Sequence, residues 1–260
     1  MKTFASAIRL KFQVAYIGTE FHGWQLQNGA RTVQGCLEAA LERLAGRPVR
    51  VHGAGRTDAG VHALGQVAHV DVPAARAHLP WQRAMNALLP PDVTIIRLEQ
   101  VSETFHARFD AIQKTYSYTL WHEPRWLLPQ RGAYVWRVGE LSLEAMKQTA
   151  RKLIGCRDWS AFQNQGTPVR SPVRTVRDIH CKAGTNPQES VWLFTADGFL
   201  KQMVRNLMGC LVMVGKGRLT TDQVMDILAQ GRRESAPATA PAHGLCLERV
   251  DYGDGSGEVF

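Results

Sequence analysis

The order of strand-like and helix-like patterns is the feature that most constrains the fold of this chain. Strands show apolar side chains at every second position, and helices show them three or four positions apart. In the first half these patterns follow one another as strand, helix, strand, strand, helix, strand, which is the split β-α-β arrangement. They fall at residues 8–17, 32–46, 49–54, 65–72, 80–88 and 93–98. The order predicts an α+β domain with a mainly antiparallel sheet.

The second half repeats that order less regularly, and a strong helix and a further short helix precede its last strand. The patterns predict strands and helices at residues 112–121, 142–155, 173–182, 190–197, 199–214, 221–229 and 245–252. We therefore expect two ferredoxin-like (split β-α-β) halves, 1–104 and 105–260, with the boundary near 103–107. Their sheets are expected to meet edge to edge or to face a shared cleft.

Several helix ends are marked by residues with a physical reason to be there. Thr32 and Ser142 stand just before apolar helical repeats, where a hydroxyl oxygen accepts a bond from a backbone N–H of the first turn. Gly46 follows the first helix and can take the left-handed conformation that ends one. These residues predict the N-termini of two helices and the C-terminus of one.

Composition excludes some classes of protein and favours a phosphate-rich partner. No apolar run in the 260 residues approaches the roughly 20 residues of a membrane span. The five cysteines are odd in number and widely spaced, which argues for a reducing cytoplasm and against disulfides or a zinc knuckle. The net charge is +8, and residues 105–182 hold thirteen Lys and Arg against six Asp and Glu. Nucleic acid suits such a surface, although a merely solvated basic surface is the alternative.

A glycine-flanked loop, Gly55–His62, joins two predicted strands and carries Arg56 and Asp58. Glycine tolerates backbone angles that other residues resist, and it lets another molecule approach the main chain. A short carboxylate beside a cation is suited to nucleophilic attack or proton transfer. The alternative is an ordinary tight turn whose aspartate bonds its own backbone.

Other kinds of catalytic site lack support in the sequence. His52, His62, His69 and Asp71 do not have the spacing of a metal site. Phosphate-loop and dinucleotide signatures are absent, as is a nucleophilic serine or cysteine in a recognisable setting. By elimination, Asp58 is the best candidate for a catalytic group.

Several residues of the second half could serve such a group. Tyr116, with Lys114 nearby, is either a half-buried sheet tyrosine or a surface on which a base stacks. Arg205 is predicted one helical turn from Lys201, and it could pair with Asp58 and keep that carboxylate ionised. The alternative is a solvated basic helix face. Leu245 is either core or part of the site.

Another motif, Phe105–Phe109, mixes aromatic rings with Arg108. It either stabilises the junction between the halves or contributes to substrate binding.

Taken together, these motifs resemble those of the TruA-type tRNA pseudouridine synthase family. They occur in the family's order and cover nearly the whole chain. The matching stretches are Phe21–Asn28, Gly55–Ala63, Gly65–Val67, Phe105–Phe109, Lys114–Tyr116, Met203–Asn206 and Gly244–Leu247.

The resemblance implies isomerisation of uridine to pseudouridine at positions 38, 39 and 40 of the tRNA anticodon stem-loop, without metal or organic cofactor. It implies a cytoplasmic homodimer with two RRM-like halves around a basic cleft. Asp58 would be the catalytic carboxylate, Arg205 its partner, Tyr116 a contact to uracil, and Leu245 a packing surface for the base. Arg56 would fill the space that the flipped base leaves, and Lys114 and Arg108 are assigned to substrate binding.

Two other functions remain open from the residues alone. A non-catalytic RRM-like RNA-binding protein would share the charge and the aromatic residues, but the short aromatic RRM signature does not occur in the sequence. A metal-dependent hydrolase acting on RNA would need a metal site that the residue spacing does not indicate.

Overall fold

The computed structural model describes residues 7–164, 166 and 170–253. Over these residues the chain is a mixed α+β protein with mostly antiparallel strands, which confirms the predicted class. The strands are β1 Ala7–Tyr16, β2 His52–Gly53, β3 His62–Pro73, β4 Val93–Val101, β5 Ala111–Trp121, β6 Trp136–Arg137, β7 Gly155–Asp158, β8 Val173–Ala183, β9 Glu189–Ala196 and β10 Leu245–Tyr252. The helices are α1 Val33–Ala45, α2 Trp81–Leu88, α3 Leu143–Lys152, α4 Met203–Gly215 and α5 Thr221–Gln230.

The chain divides into two compact units. The first unit comprises the residues up to Ile112 together with those from Leu247 onward, and the second comprises Gln113–Cys246. The chain therefore returns to the first unit along β10. The assignment of residues 1–104 and 105–260 to separate functional domains stays a prediction.

In the first unit, β1 lies between β4 and β3, and β10 and β2 also pair with β3. The alternating pattern of β1 places Leu10, Phe12 and Val14 in the core. Leu37 of α1 and Met85 of α2 are completely buried, because these helices turn their apolar stripes towards the core. The core thus supports β3, and the Asp58 loop ends at the first residue of this strand, His62.

In the second unit, the antiparallel strands run in the order β5, β9, β8, β7, and β6 pairs with β5 in parallel. Three tryptophans, Trp121, Trp159 and Trp192, are fully buried. Helix α4 is buried on nearly every face, as expected for a helix of almost uniformly apolar sequence. It is the internal element from which Arg205 projects.

The predicted helix ends at Thr32, Gly46 and Ser142 are confirmed. The Thr32 hydroxyl accepts from the Gly35 amide, and the Ser142 hydroxyl accepts from the Ala145 amide. Gly46 is left-handed and its N–H donates to the carbonyl of Glu42. No helix among residues 7–164, 166 and 170–253 has the length and apolarity that a membrane span needs.

Several predicted elements differ in extent from the structure. The helix expected over 142–155 ends at Lys152, and Gly155 begins β7. The helix expected from Phe199 begins at Met203, because Gln202 has a φ of +61°, a left-handed conformation that a helix cannot include. Lys201 therefore precedes α4, and the prediction that it shares a helix face with Arg205 is wrong. The strand expected at 49–54 is reduced to His52 and Gly53 of β2.

Candidate active site

The Asp58 loop, residues 54–61, connects β2 to β3 in the first unit. Its first two residues are bonded to β3: the Ala54 amide donates to the carbonyl of Val67 over 2.7 Å. The side-chain amide of Gln66 donates to the carbonyl of Gly55 over 2.9 Å. The Asp58 carbonyl accepts from the Val61 amide over 3.2 Å, so the aspartate opens a tight turn.

The Phe21–Trp24 motif supports this loop. The Trp24 amide donates to the carbonyl of Thr57 over 3.0 Å, and the Gly60 amide donates to the carbonyl of Phe21 over 3.3 Å. The buried hydroxyls of Tyr16 and Thr57 are hydrogen-bonded to each other at 2.8 Å. The main chain is therefore held on both sides of Asp58, whose side chain is partly exposed.

Gly23 explains why these two motifs occur together. Its φ is +86°, and a Cβ placed there would lie 2.6 Å from the Thr57 carbonyl oxygen and 3.1 Å from the Ala59 nitrogen. Only glycine allows the two segments to approach so closely. The Gly23–Trp24 stretch is therefore a fitted support for the aspartate loop.

The residues beside Asp58 in the loop have different environments. Arg56 is exposed to solvent. His62, which lacks the spacing of a metal site, is buried, and its Nδ1 accepts from the Gly18 amide over 3.0 Å. The loop is thus a well-anchored turn, and it holds a partly exposed carboxylate in a fixed place.

On the second unit, Tyr116 and Lys114 lie on β5. Tyr116 is 8% exposed and packs edge-on against Phe199, with ring centroids 5.3 Å apart. Lys114 is partly exposed. Tyr116 is thus more buried than the half-buried sheet tyrosine of the alternative interpretation, and its contact with uracil stays a prediction.

Arg205 lies on α4 and is fixed by the residue facing it. Its Nε donates to the carbonyl of Ala240 over 2.7 Å, and the Ala240 amide donates to the Arg205 carbonyl over 3.2 Å. A guanidinium is planar, so a bond at Nε sets the plane of the whole group. Arg205 is only partly exposed, so it is not part of a solvated basic face.

Leu245 comes directly after Gly244, which lies close against the Tyr118 ring. A Cβ at Gly244 would lie 2.5 Å from the Tyr118 ring, and the Tyr118 hydroxyl donates to the carbonyl of Pro241 over 2.7 Å. Burial raises the pKa of Tyr118 well above its ordinary value, so this phenol stays a donor. Leu245 itself is 5% exposed.

The predicted site residues are distributed over both units. Arg56, Asp58 and Arg108 belong to the first unit, whereas the residues assigned from β5, α4 and β10 (Lys114, Tyr116, Arg205 and Leu245) belong to the second. The pairing of Asp58 with Arg205 would join the units, and it stays a prediction. The same holds for the basic cleft.

The Phe105–Phe109 motif packs against histidines in the first unit. The Ala107 amide donates to Nδ1 of His69 over 3.1 Å, and the rings of His52 and His106 lie 5.0 and 4.7 Å from the His69 ring. Burial, helped by the nearby Arg9, lowers the pKa of His69 to about 4. Arg108 itself is exposed.

The described part of the chain holds no cluster of His, Cys, Asp or Glu arranged for a metal ion.

The sequence did not reveal a polar network beside Arg205. Asn206 is completely buried, and it is linked through hydrogen bonds to Asn164, Arg233 and Thr239. Asn206 lies in the Met203–Asn206 motif, whereas Arg233 lies in a loop rich in Ala and Pro. Spacing alone could not show that they meet.

Comparison with known proteins gives a consistent result. A family model described as tRNA pseudouridine synthase matches residues 13–110 and 149–253. A tRNA pseudouridine synthase A from Solidesulfovibrio magneticus is 57% identical over 250 residues, which cover 94% of this chain and 91% of the relative. Proteins with the same name from Maridesulfovibrio salexigens and Nitratidesulfovibrio vulgaris (strain Miyazaki F) are 52% and 48% identical, and the matches cover 95% and 94% of this chain. The chain therefore belongs to the tRNA pseudouridine synthase family and is an isomerase that forms pseudouridine in tRNA.

Proposed function

We propose that this enzyme converts uridine to pseudouridine at positions 38, 39 and 40 of the tRNA anticodon stem-loop, with Asp58 as its catalytic carboxylate. The N1–C1′ bond breaks, the uracil turns, and a C5–C1′ bond forms. The proton that leaves C5 is balanced by the one that N1 gains. No oxidant, reductant or activated phosphate enters this balance.

The observation that carries the proposal is the anchored Asp58 loop in a chain of this family. Hydrogen bonds from Trp24 and to Phe21 hold the peptides on both sides of the aspartate, and its side chain is partly exposed. A carboxylate fixed in this way can attack the base, attack the sugar or remove a sugar proton. Each route is faster when the carboxylate is already oriented, because no entropy is then lost in ordering it during the reaction.

We further propose that Arg205 pairs with Asp58 and orients it. A guanidinium presents a planar fork of N–H donors that matches the two oxygens of a carboxylate. The bond from Nε to the carbonyl of Ala240 supports this role, since it orients the guanidinium before substrate binds.

A base inside a stem must leave its stack before any of this chemistry, at a cost of a few kcal/mol. Contacts to the RNA phosphates supply the compensating free energy, and they make binding sensitive to salt. Exposed cations such as Arg56 and Arg108 suit this task, with Arg56 occupying the space that the base vacates. Tyr116, Lys114 and Leu245 are proposed to line the pocket for the flipped base.

The proposal includes the arrangement of the whole enzyme. The halves 1–104 and 105–260 would be RRM-like domains on either side of a basic cleft, the first with the Asp58 loop and the second with RNA-binding loops. The order β4, β1, β3 with β2 beside β3 supports a split β-α-β topology for the first half.

A homodimer in the cytoplasm completes the proposal. The exposed side chains of Trp126 and Leu128 offer apolar surface for a subunit contact. All five cysteines are free thiols, which suits a reducing compartment. Sedimentation analysis measures the oligomeric state directly, and a protein that stays a monomer at micromolar concentration would refute the dimer.

Mapping pseudouridines on unmodified tRNA transcripts tests the function. The protein is incubated with transcripts in parallel reactions with and without EDTA, and pseudouridines are located by carbodiimide labelling and primer extension. We expect new pseudouridines at 38, 39 and 40 wherever the transcript has uridine there. Matched transcripts with cytidine at these positions are the control and should gain none.

The outcomes separate the competing functions. Binding without product would indicate an RNA-binding protein that does not catalyse the reaction. Cleavage of the transcript that EDTA abolishes would indicate a metal-dependent hydrolase. Pseudouridines formed only outside positions 38–40 would refute the proposed site on tRNA while leaving the isomerase activity intact.

A further inference from the structure

Residues 231–244 form a segment, here called the strap, that runs from the end of α5 to the start of β10. Gly231 and Gly244 mark its two ends. Gly231 is left-handed where it ends α5, and Gly244 fits against the Tyr118 ring. The strap provides the carbonyl of Ala240 that receives the Nε of Arg205.

Two consecutive residues of α4 hold two consecutive residues of the strap. Arg205 exchanges hydrogen bonds with Ala240, one through its Nε and one through its carbonyl. The next residue, Asn206, accepts from the Thr239 hydroxyl over 2.7 Å. Ala240 is 1% exposed and Asn206 is completely buried, so water does not replace these bonds. The position of Arg205 therefore depends on where the strap lies.

Arg233 links the strap to α4 and to the loop that contains Asn164. Its Nε donates to the side-chain oxygen of Asn164 over 2.7 Å, and its Nη1 donates to the carbonyl of Ala236 over 3.1 Å. Its Nη2 donates to Asn206 Oδ1 over 3.1 Å and to the Thr239 hydroxyl over 3.0 Å. One guanidinium thus satisfies acceptors on three separate segments.

The amide of Asn206 completes the network. It donates to the carbonyl of Phe162 over 2.7 Å and to Asn164 Oδ1 over 2.9 Å. Removing Arg233 would take one donor from each of its acceptors inside a partly buried network, which costs more than the loss of an exposed contact. The planar fork of arginine makes all four bonds at once, whereas the single ammonium of lysine cannot reach the same set.

We propose that Arg233 is a positioning residue for the isomerisation: it fixes the strap on α4, and the strap orients the guanidinium of Arg205. The inference rests on the proposed function, in which Arg205 pairs with the catalytic aspartate. Arg233 acts at a distance from the chemistry through Thr239 and Ala240. A displacement of about 1 Å at a catalytic group can lower a rate by about a hundredfold.

Substitution of Arg233 by methionine tests the proposal, because methionine retains much of the side-chain length and removes every donor. We expect the single-turnover rate at saturating tRNA to fall about ten- to a hundredfold, while the Kd for tRNA changes by less than about threefold. Arg233→Lys should recover part of the rate. Arg218→Met, which removes an exposed arginine just after α4, is the control and should keep the wild-type rate.

A second pair of variants perturbs the strap without touching Arg233. A Cβ at Gly209 of α4 would lie 2.5 Å from the carbonyl oxygen of Ala238, so Gly209→Ala pushes the strap away. A Cβ at Gly215 would instead lie 2.7 Å from the sulfur of Met146 on α3. We expect Gly209→Ala to slow the reaction as Arg233→Met does, and Gly215→Ala to lower stability without slowing it.

Hydrogen exchange at the Ala240 amide reports on the strap independently of activity. Exchange should be at least about tenfold faster in Arg233→Met and Gly209→Ala than in the wild type. In the wild type, the hydrogen bonds of Arg233 and the close fit of the strap over Gly209 keep this backbone closed. A wild-type rate or wild-type exchange in Arg233→Met would overturn the inference. A wild-type enzyme that forms no pseudouridine would instead overturn the proposed function, and exchange at Ala240 would still decide whether Arg233 holds the strap.

Discussion

Gly23 gives a sensitive test of how the Asp58 loop is supported. An alanine there must adopt a φ of +86°, and the left-handed region costs an L-residue about 1–2 kcal/mol. Its Cβ would also lie 2.6 Å from the Thr57 carbonyl oxygen, and relieving such a contact costs about 1–3 kcal/mol. We expect Gly23→Ala to lower the free energy of unfolding by about 2–5 kcal/mol in total.

Relief of the clash must also move the peptide that precedes Asp58. A shift of several tenths of an ångström at this peptide should slow pseudouridine formation about ten- to a hundredfold. Urea unfolding and single-turnover kinetics at saturating tRNA measure the two effects in the same preparation.

Gly29 supplies a matched control for this experiment. Its φ is +72°, yet a Cβ there would have no atom within 4 Å. Gly29→Ala should therefore cost only the conformational term of about 1–2 kcal/mol and leave the rate unchanged. Equal effects of the two substitutions on the rate would show that the Gly23 contact does not position Asp58.

Two further predictions concern titratable groups. The pKa of His69 is lowered to about 4, so the native state takes up its proton less readily than the unfolded chain does. The free energy of unfolding should therefore fall as pH drops from about 6.5 to 4. Urea titrations should show a smaller fall in His69→Gln, because glutamine cannot take up this proton. The substitution keeps an acceptor for the Ala107 amide. An identical pH profile for both proteins would contradict this. Burial raises the pKa of Cys210 to about 12, so a thiol reagent at pH 8 should modify exposed Cys156 long before Cys210, as peptide mass mapping would reveal.

Much of the secondary structure could be predicted because local chemistry determines it. The alternation in β5 and β10 and the capping hydroxyls of Thr32 and Ser142 depend on neighbouring residues only. The start of α4 was predicted wrongly because its apolar stripe continues upstream, and the left-handed turn at Gln202 comes from its tertiary setting. Periodicity cannot detect such a turn at a residue other than glycine.

The site could be predicted in part for a similar reason. Asp58 is recognisable because it lies among the glycines of its own loop, and the structure adds a glycine from another motif, Gly23, which fits under the loop. The network around Arg233 was missed because Asn164 and Thr239 are far apart in the chain and have no distinctive spacing. Contacts of this kind depend on how the chain folds back on itself, which one sequence does not display.

The most direct test of the central claim compares wild type with Asp58→Asn, a nearly isosteric change that removes the charge. Single-turnover pseudouridine formation and tRNA affinity are measured on the same transcript at one salt concentration. We predict that product formation is abolished while the Kd stays within about tenfold, since phosphate contacts dominate such an interface. Wild-type turnover in Asp58→Asn, or a loss of affinity large enough to explain the lost turnover, would contradict a catalytic role for this carboxylate.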